Sequence, residues 1–363
     1  MDRISARSPY YVVAPIYNGV DIVEVTDATF NIKIWQGDIV TDKPVENTYT
    51  INKAQRYSGD THIFVEISEQ IRDYLIQSFP SNDLTGYGSS VVFVEVVVVS
   101  EYDGGTIEET NTHISLDAYG SFQDGVNPSF SDLLISNRYI SILSEENIRI
   151  PVYLGGDEYN FKFYSNASIQ DDIDVLPISI TDTDNTVFIV DSIDDNTTHV
   201  VVSNVTQASD FVIDIESVTE CIYSPVKCVF VNKFGVKQDL WFYKVSKENI
   251  NVTNESYNRS TLETSMDGNT PIVSYNSTKH TNKRYNTNAK KSITLNTGYI
   301  NEDNNVLIEE LLLSEDVWLV INDVIYPVDN ATKTTDFLTK RNDQLVKYTM
   351  KFDYSYSQIQ NIR

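Results

Sequence analysis

Apolar residues recur at every second position in several segments of this chain, which is the pattern of β-strands that bury one face. Residues 29–35 alternate in this way, and residues 348–356 do so without interruption. Residues 91–99 are apolar except for Glu95, which predicts a strand buried on both faces. These segments predict a mainly β protein.

The clearest local structure is a β-hairpin made of residues 226–231 and 236–243, which are rich in β-branched and aromatic residues. Residues 232–235 join the two strands. Gly235 can adopt the positive φ that a four-residue turn usually needs at its last position. The turn therefore fixes the register of the hairpin.

Two amphipathic segments predict helices between the strands. In residues 68–79, Ser68 is placed as the N-cap. The apolar residues of this segment follow helical spacing: Ile71, Leu75 and Phe79. Residues 304–314 carry a broad apolar face, with Glu302 and Asp303 at the end where the helix dipole favours acids. The predicted fold class is thus mainly β, with tandem β-sandwich-like domains and two short helices packed on the sheets.

Length and composition predict three domains, since one domain has about 100–200 residues and the chain has 363. Residues 1–120 are predicted to form an N-terminal β domain with one helix, and residues 121–225 an acidic β-sandwich-like domain. Residues 226–363 are predicted to form a C-terminal β domain with a long basic loop and one helix. Acidic residues outnumber basic ones by 14 to one in residues 151–220, whereas residues 227–291 contain 11 basic and five acidic residues. The polar part of the latter, residues 249–291, is the predicted loop.

The whole chain is acidic, with 27 basic and 52 acidic residues and a formal charge of −25. This charge repels phosphates, so we expect no specific nucleic-acid binding. No basic leader followed by an apolar core opens the sequence, and no apolar run approaches the length of a membrane span. We therefore expect no signal peptide and no membrane association.

Residue patterns typical of catalytic, cofactor-binding or metal-binding sites are not found. The four histidines stand at no metal-binding spacing from each other or from cysteine: His62, His113, His199 and His280. Acidic clusters at residues 171–174 and 182–185 lack the glycine and the closing glutamate of a calcium loop. Cys221 and Cys228 match no zinc or redox motif and are predicted to be buried thiols. The sequence predicts no enzyme, no cofactor and no small-molecule substrate.

Five segments carry a resemblance to a known family: residues 3–11, 65–75, 231–244, 291–313 and 345–363. In these segments the chain resembles the β-rich virion proteins of tailed phages that infect Bacteroidetes, crAss-like phages among them. The resemblance covers the first and third predicted domains and leaves the acidic second domain unmatched. It implies a virion structural protein of the neck, tail or baseplate, assembled in the bacterial cytoplasm. Its partners would be copies of itself in a ring and neighbouring virion proteins, and the family offers no active site to transfer.

Opposite charges on the second and third predicted domains suggest how copies could meet. If the acidic domain of one copy faces the basic loop of the next, contact is steered electrostatically, and a head-to-tail contact that closes gives a ring. The predicted interface residues are basic and lie near the N-terminus and in the loop: Arg3, Arg7, Lys279, Lys283, Arg284, Lys290 and Lys291. A solvated basic loop without any partner explains the same charges.

The 23 tyrosines leave a second class of function open. Tyrosine covers a large area while keeping a polar tip, which suits subunit contacts as well as ligand grooves. The alternative to a virion component is therefore a carbohydrate-binding or adhesin-like extracellular module, with tyrosines lining a shallow groove.

Overall fold

The computed structural model of the protein describes residues 2–56, 62–77, 79, 91–128, 133–144, 146, 150–153, 159–165, 187–188, 197–204, 209–220, 222–337 and 345–359. Of these residues, 58% lie in strands and 7% in helices. The predicted fold class, mainly β with two short helices packed on the sheets, is confirmed.

The first part of the chain forms seven strands: β1 (Asp2–Ser5), β2 (Tyr11–Val13), β3 (Val25–Trp35), β4 (Tyr49–Ala54), β5 (Phe64–Glu66), β6 (Val91–Tyr102) and β7 (Gly105–Leu116). Five of them make one sheet in the order β1-β7-β6-β3-β4, and β2 pairs with β5. As predicted, β6 is a central strand, and its Glu95 is buried and paired with Lys33 and Lys43. The paired cations explain how an acidic residue is accommodated inside the sheet.

The first helix, α1 (Ser68–Arg72), is shorter than the predicted one. Ser68 was predicted as the N-cap, but Ile67 occupies that position and Ser68 is the first helical residue. The Ser68 hydroxyl and amide both donate to the Glu66 carboxylate, so the hydroxyl does not cap the helix. Beyond Arg72 the chain tightens, since the Leu75 amide donates to the carbonyl only three residues earlier. Ile71 and Leu75 are still buried against the first sheet, whereas Phe79 packs edge-on against Trp318 of the third sheet, at 4.9 Å between ring centroids.

The described residues in the middle of the chain include six strands: β8 (Tyr139–Leu143), β9 (Val152–Tyr153), β10 (Tyr159–Ser165), β11 (Val187–Phe188), β12 (Thr197–Asn204) and β13 (Ser209–Val218). Four make a sheet in the order β10-β12-β13-β8, and β9 pairs with β11. Alternate residues of β10 and β12 face a common core, as period-two patterning requires: Tyr159, Phe161, Val200 and Val202.

The last part of the chain forms nine strands: β14 (Val226–Val231), β15 (Lys237–Phe242), β16 (Lys247–Asn258), β17 (Leu262–Asp267), β18 (Thr270–Tyr275), β19 (Asn282–Asn301), β20 (Val317–Ile321), β21 (Val324–Asn330) and β22 (Leu345–Ser357). Seven make an antiparallel sheet in the order β15-β14-β20-β21-β22-β19-β16, and β17 pairs with β18. The predicted second helix is α2 (Asn305–Leu313), which buries Leu307, Ile308 and Leu311 against this sheet.

The predicted hairpin is present as β14 and β15, and its turn contacts both the first part and the middle of the chain. Gly235 has a φ of +76°, as predicted. The Lys233 carbonyl accepts from the Tyr119 amide at 2.9 Å, which attaches the turn to the chain that leaves the first sheet. The Asn232 side chain donates to the Leu134 carbonyl at 2.8 Å, which attaches it to the middle of the chain.

An apolar cluster around this turn draws residues from all three predicted domains: Trp35, Phe93, Ile114, Leu116, Ala118, Leu134, Tyr153 and Val236. Each predicted domain contributes one large sheet, so the division at residues 120 and 225 separates the sheets. Residues from all three parts nevertheless share this buried cluster. The three-domain division stays a prediction.

The predicted basic loop, residues 249–291, is wrong as a loop and is built of β-strands. β16 pairs with the first half of β19, and β17 and β18, which lie between them in the chain, pair with each other. We call these strands together the arm (residues 247–291). Residues 247–287 of the arm are exposed, apart from the half-buried Thr261 and Asn276. The sequence did not predict these strands because most of them lack an apolar face, and period two is visible only where one face is buried.

Candidate assembly surface

The arm projects from the edge of the third sheet. Its shaft is β16 paired with β19, from Lys247 opposite Thr294 to Asn258 opposite Asn282. At about 3.3 Å per residue, β16 is about 40 Å long, and β17 adds about 20 Å. β16 is the edge strand of the seven-stranded sheet, so this sheet continues outward as a two-stranded ribbon.

The outer segment of the arm, which we call the tip (residues 262–275), has one apolar and one mainly polar face. Directly opposed residues of an antiparallel pair lie on the same face. Three such pairs make the apolar face: Leu262 with Tyr275, Thr264 with Val273, and Met266 with Pro271. The other face carries Glu263 and Asp267 beside Ser265, with Ile272 as its one large apolar side chain.

Both faces of the tip are open to solvent. Leu262 is 65% exposed, Met266 68%, Val273 62% and Tyr275 72%. A two-stranded hairpin is at best marginally stable in water, because it buries too little apolar area to offset the entropy of ordering the chain. The tip therefore has the composition of a surface that becomes covered by another molecule.

The predicted basic residues of the loop lie on or near the arm. Lys279, Lys283 and Arg284 are exposed on its outer part, Lys290 is exposed where the arm joins the sheet, and Lys291 is half-buried. Lys279 is paired with Glu263 of the tip. Lys283 is opposite Tyr257 and its neighbour Arg284 is opposite Ser256, so the two cations point to opposite faces of the ribbon.

The two predicted N-terminal interface residues, Arg3 and Arg7, have partners within the chain. The Arg7 guanidinium binds the Asp117 carboxylate in a two-pronged contact, Nε to Oδ1 at 2.7 Å and Nη2 to Oδ2 at 2.8 Å. The Arg3 guanidinium lies 4.1 Å from the centre of the Tyr153 ring. These contacts hold β1 to other parts of the chain, and we leave both residues out of the proposed interface.

A second feature that the sequence did not reveal is a cleft of about 470 Å³ between the hairpin turn, α2 and the middle of the chain. Aromatic and charged side chains line it together: Tyr119, Phe211, Phe234, Arg138, Glu309 and Glu310. Its lining comes from segments up to about 200 residues apart, a separation that no local pattern bridges.

Glu310 is the one buried carboxylate in the lining of this cleft. Its Oε1 accepts a hydrogen bond from the Ser136 hydroxyl, and the backbone of Lys233 also lies beside this carboxylate. Burial raises the pKa of Glu310. Burial, together with the nearby charges of Glu310 and Glu309, raises the pKa of Tyr119 to about 12. The neutral forms of both groups are thereby favoured.

The remaining sequence candidates show structural environments. Among the described residues, no group of three or more His, Cys, Asp or Glu is placed to hold a metal ion. His113 packs edge-on against Tyr10, and His199 stacks on Tyr164. Cys228 is a buried free thiol whose pKa is raised by burial. Cys221 and the acidic clusters at 171–174 and 182–185 lie outside the described residues.

Comparison with known proteins adds no relative: neither the scan against family models nor the search of curated proteins found a match to this chain. In the part of the chain that the structure describes, every helix is too short or too polar to cross a membrane.

Proposed function

We propose that this protein is a structural component of a tailed-phage virion, which forms a ring or sleeve in the neck, tail or baseplate by symmetric self-assembly. The observation that carries the proposal is the arm. Within residues 247–287, 30 residues are ordered into paired strands, and their side chains are exposed. The resemblance of five segments to phage virion proteins supports the same function.

The physical reason is that such an arm gains its stability from contact with a neighbour. Backbone pairing alone gives a two-stranded ribbon little net stability. Covering the apolar side chains of the tip by another subunit supplies the missing burial, at about 25 cal/mol per Å². In a virion each subunit is surrounded by other copies, and a neighbouring copy would bury the apolar side chains of its tip.

The experiment is sedimentation velocity of the purified full chain over about 1 to 100 μM, followed by negative-stain electron microscopy of the largest species. We expect a concentration-dependent multimer that appears as closed rings or stacked rings. A chain that remains monomeric over this range would overturn the proposal.

The cleft favours a second candidate function, carbohydrate binding, because it combines aromatic side chains with carboxylates and a guanidinium. A glycan array probed with the purified protein tests this candidate. Binding to a defined sugar that disappears in Phe211→Ala, while the protein stays monomeric, would favour the binding module over the virion component.

A further inference from the structure

We propose that the apolar face of the tip docks on the acidic body of a second copy of this chain, where the body means all residues outside the arm. Each copy then donates its arm to one neighbour and receives an arm from another. This inference rests on the proposed function and specifies the contact that makes the assembly.

The distribution of charge selects the body of another copy as the occupant. The arm contains seven basic and four acidic residues, a net charge of +3, and the rest of the chain has a net charge of −28. Within the arm the tip contains two acids and no base, so the positive charge lies in the shaft and in the segments that join it to the tip. Two tips placed face to face would bring like-charged arms together. An arm placed on a body brings opposite charges together, which both attracts the partner and steers its approach.

Hydrophobic burial supplies the second part of the contact. The four large apolar side chains of the tip face alternate along two strands, so one flat partner surface can cover all of them: Leu262, Met266, Val273 and Tyr275. Arg259, Lys283 and Arg284 are exposed where the tip joins the shaft, and the one of the pair Lys283 and Arg284 that shares the docking face would add a basic group to the polar rim of the contact.

The size of the arm indicates that the shaft takes part as well. A tip about 20 Å long and two strands wide presents about 200 Å² on one face. The part of the shaft that projects beyond the sheet, from Val252 and Ala289 outward, presents a similar area. A stable interface covers about 800 Å² of each partner, so the arm supplies about half of it and contact between the two bodies must supply the rest.

A head-to-tail contact of this kind is heterologous, because the donating and receiving surfaces differ. Such a contact closes into a ring when the rotation between neighbours divides a full turn, and otherwise gives an open helical array. The inference therefore accounts for a ring or sleeve without requiring a twofold axis.

The test compares two variants that differ in the face they alter. The tip variant carries Leu262→Ser, Val273→Ser and Tyr275→Ser. The control carries Ile272→Ser, which removes an exposed β-branched residue from the opposite face of the same strand. In sedimentation velocity, we expect the tip variant to raise the concentration needed for half-assembly at least tenfold, and the control to change it less than about twofold.

Mixing the tip variant with wild-type protein tests the direction of the contact. A tip variant keeps its body, so it can accept a wild-type arm but cannot donate one. We expect a fluorescently labelled tip variant to co-sediment with wild-type protein and to shorten the wild-type assemblies. Exclusion of the labelled variant from wild-type assemblies would show that tips meet tips, and would overturn the inference.

The outcomes also separate this inference from the proposed function. Wild-type protein that stays monomeric overturns both. Wild-type protein that forms rings, with a tip variant that forms them equally well, overturns only the docking of the tip. A thermal melt of each variant checks that the body remains folded, which we expect because every substituted side chain is exposed.

Discussion

Replacing Gly235 with alanine should lower the free energy of unfolding, because it disturbs the close contact between the hairpin turn and the backbone of Asp117 and Ala118. Gly235 has a φ of +76°, and a Cβ at this position would stand 2.6 Å from both the carbonyl carbon and the amide nitrogen of Asp117 and 2.8 Å from the amide nitrogen of Ala118. These atoms are backbone, so they cannot rotate away as a side chain would. The left-handed conformation costs an alanine about 1–2 kcal/mol, and the overpacking adds about 1–3 kcal/mol.

The matched control is Gly125→Ala. Gly125 has nearly the same φ, +72°, but no atom lies within 4 Å of the added Cβ. This variant therefore pays only the conformational term, about 1–2 kcal/mol. The difference between the two variants, about 1–3 kcal/mol, isolates the close approach of the turn to Asp117 and Ala118.

The assay is urea unfolding followed by tryptophan fluorescence. The chain has three tryptophans, and Trp35, Trp241 and Trp318 are all buried in the first and third sheets. We expect Gly235→Ala to lower the unfolding midpoint clearly more than Gly125→Ala does. Equal losses in the two variants would refute the idea that the turn is wedged against the first part of the chain.

Three further predictions follow from buried groups. Asp117→Ala removes the closer of the two carboxylates that pair with the 12%-exposed Arg7 side chain and leaves Glu315 at 3.5 Å. This variant should lower the free energy of unfolding by about 3 kcal/mol. Lys351→Ala, in an exposed pair with Asp353, should change it by less than about 1 kcal/mol, and similar losses in both variants would contradict the role of the Arg7 pair. Burial raises the pKa of Glu310 above its usual value near 4.5, so the folded state binds its proton more tightly than the unfolded state, and stability associated with this group is lost as the pH rises through the raised pKa. Glu310→Gln should therefore stabilise the protein by on the order of 1 kcal/mol at pH 8 and have little effect at pH 4; urea midpoints at the two pH values measure this, and a gain that is larger at pH 4 would contradict it. Because Cys228 is fully buried with a raised pKa, peptide mass mapping should find it unmodified by iodoacetamide in native protein and alkylated in urea, and rapid native labelling would show that the β14 core opens.

The sequence revealed elements whose two faces differ and missed those whose faces are alike. β14, β15 and β22 are rich in β-branched or aromatic residues, and the structure has the first two within one residue of the prediction. β22 begins three residues before the predicted strand 348–356 and ends one residue after it. In the shaft, residues such as Asn249, Asn251 and Thr253 alternate with others that are equally exposed. A strand that is polar on both faces has the same composition as a loop, so the sequence pattern could not distinguish the two.

Contacts between distant residues account for the other differences. Arg7 pairs with Asp117, which lies 110 residues further along the chain, and the residues around Arg7 in the sequence do not indicate that partner. The sequence therefore predicted that Arg7 faces a neighbouring subunit, whereas in the structure Arg7 pairs with Asp117 of the same chain. Lys283 and Arg284 on β19, and Lys279 in the turn before it, remain exposed, because this part of the chain projects from the sheet and does not fold back on it. The interface therefore stays a prediction for these exposed residues, and Arg3 and Arg7 are left out of it.

Hydrogen–deuterium exchange of the arm in assembled and in diluted protein tests the central claim most directly. If sister subunits cover the tip, amides of β17 and β18 should exchange at least about tenfold more slowly in the multimer than in the monomer, while amides of β6, already at the centre of a sheet, should not change. A multimer in which β17 and β18 exchange as fast as they do in the monomer would contradict the claim that the arm holds the assembly together.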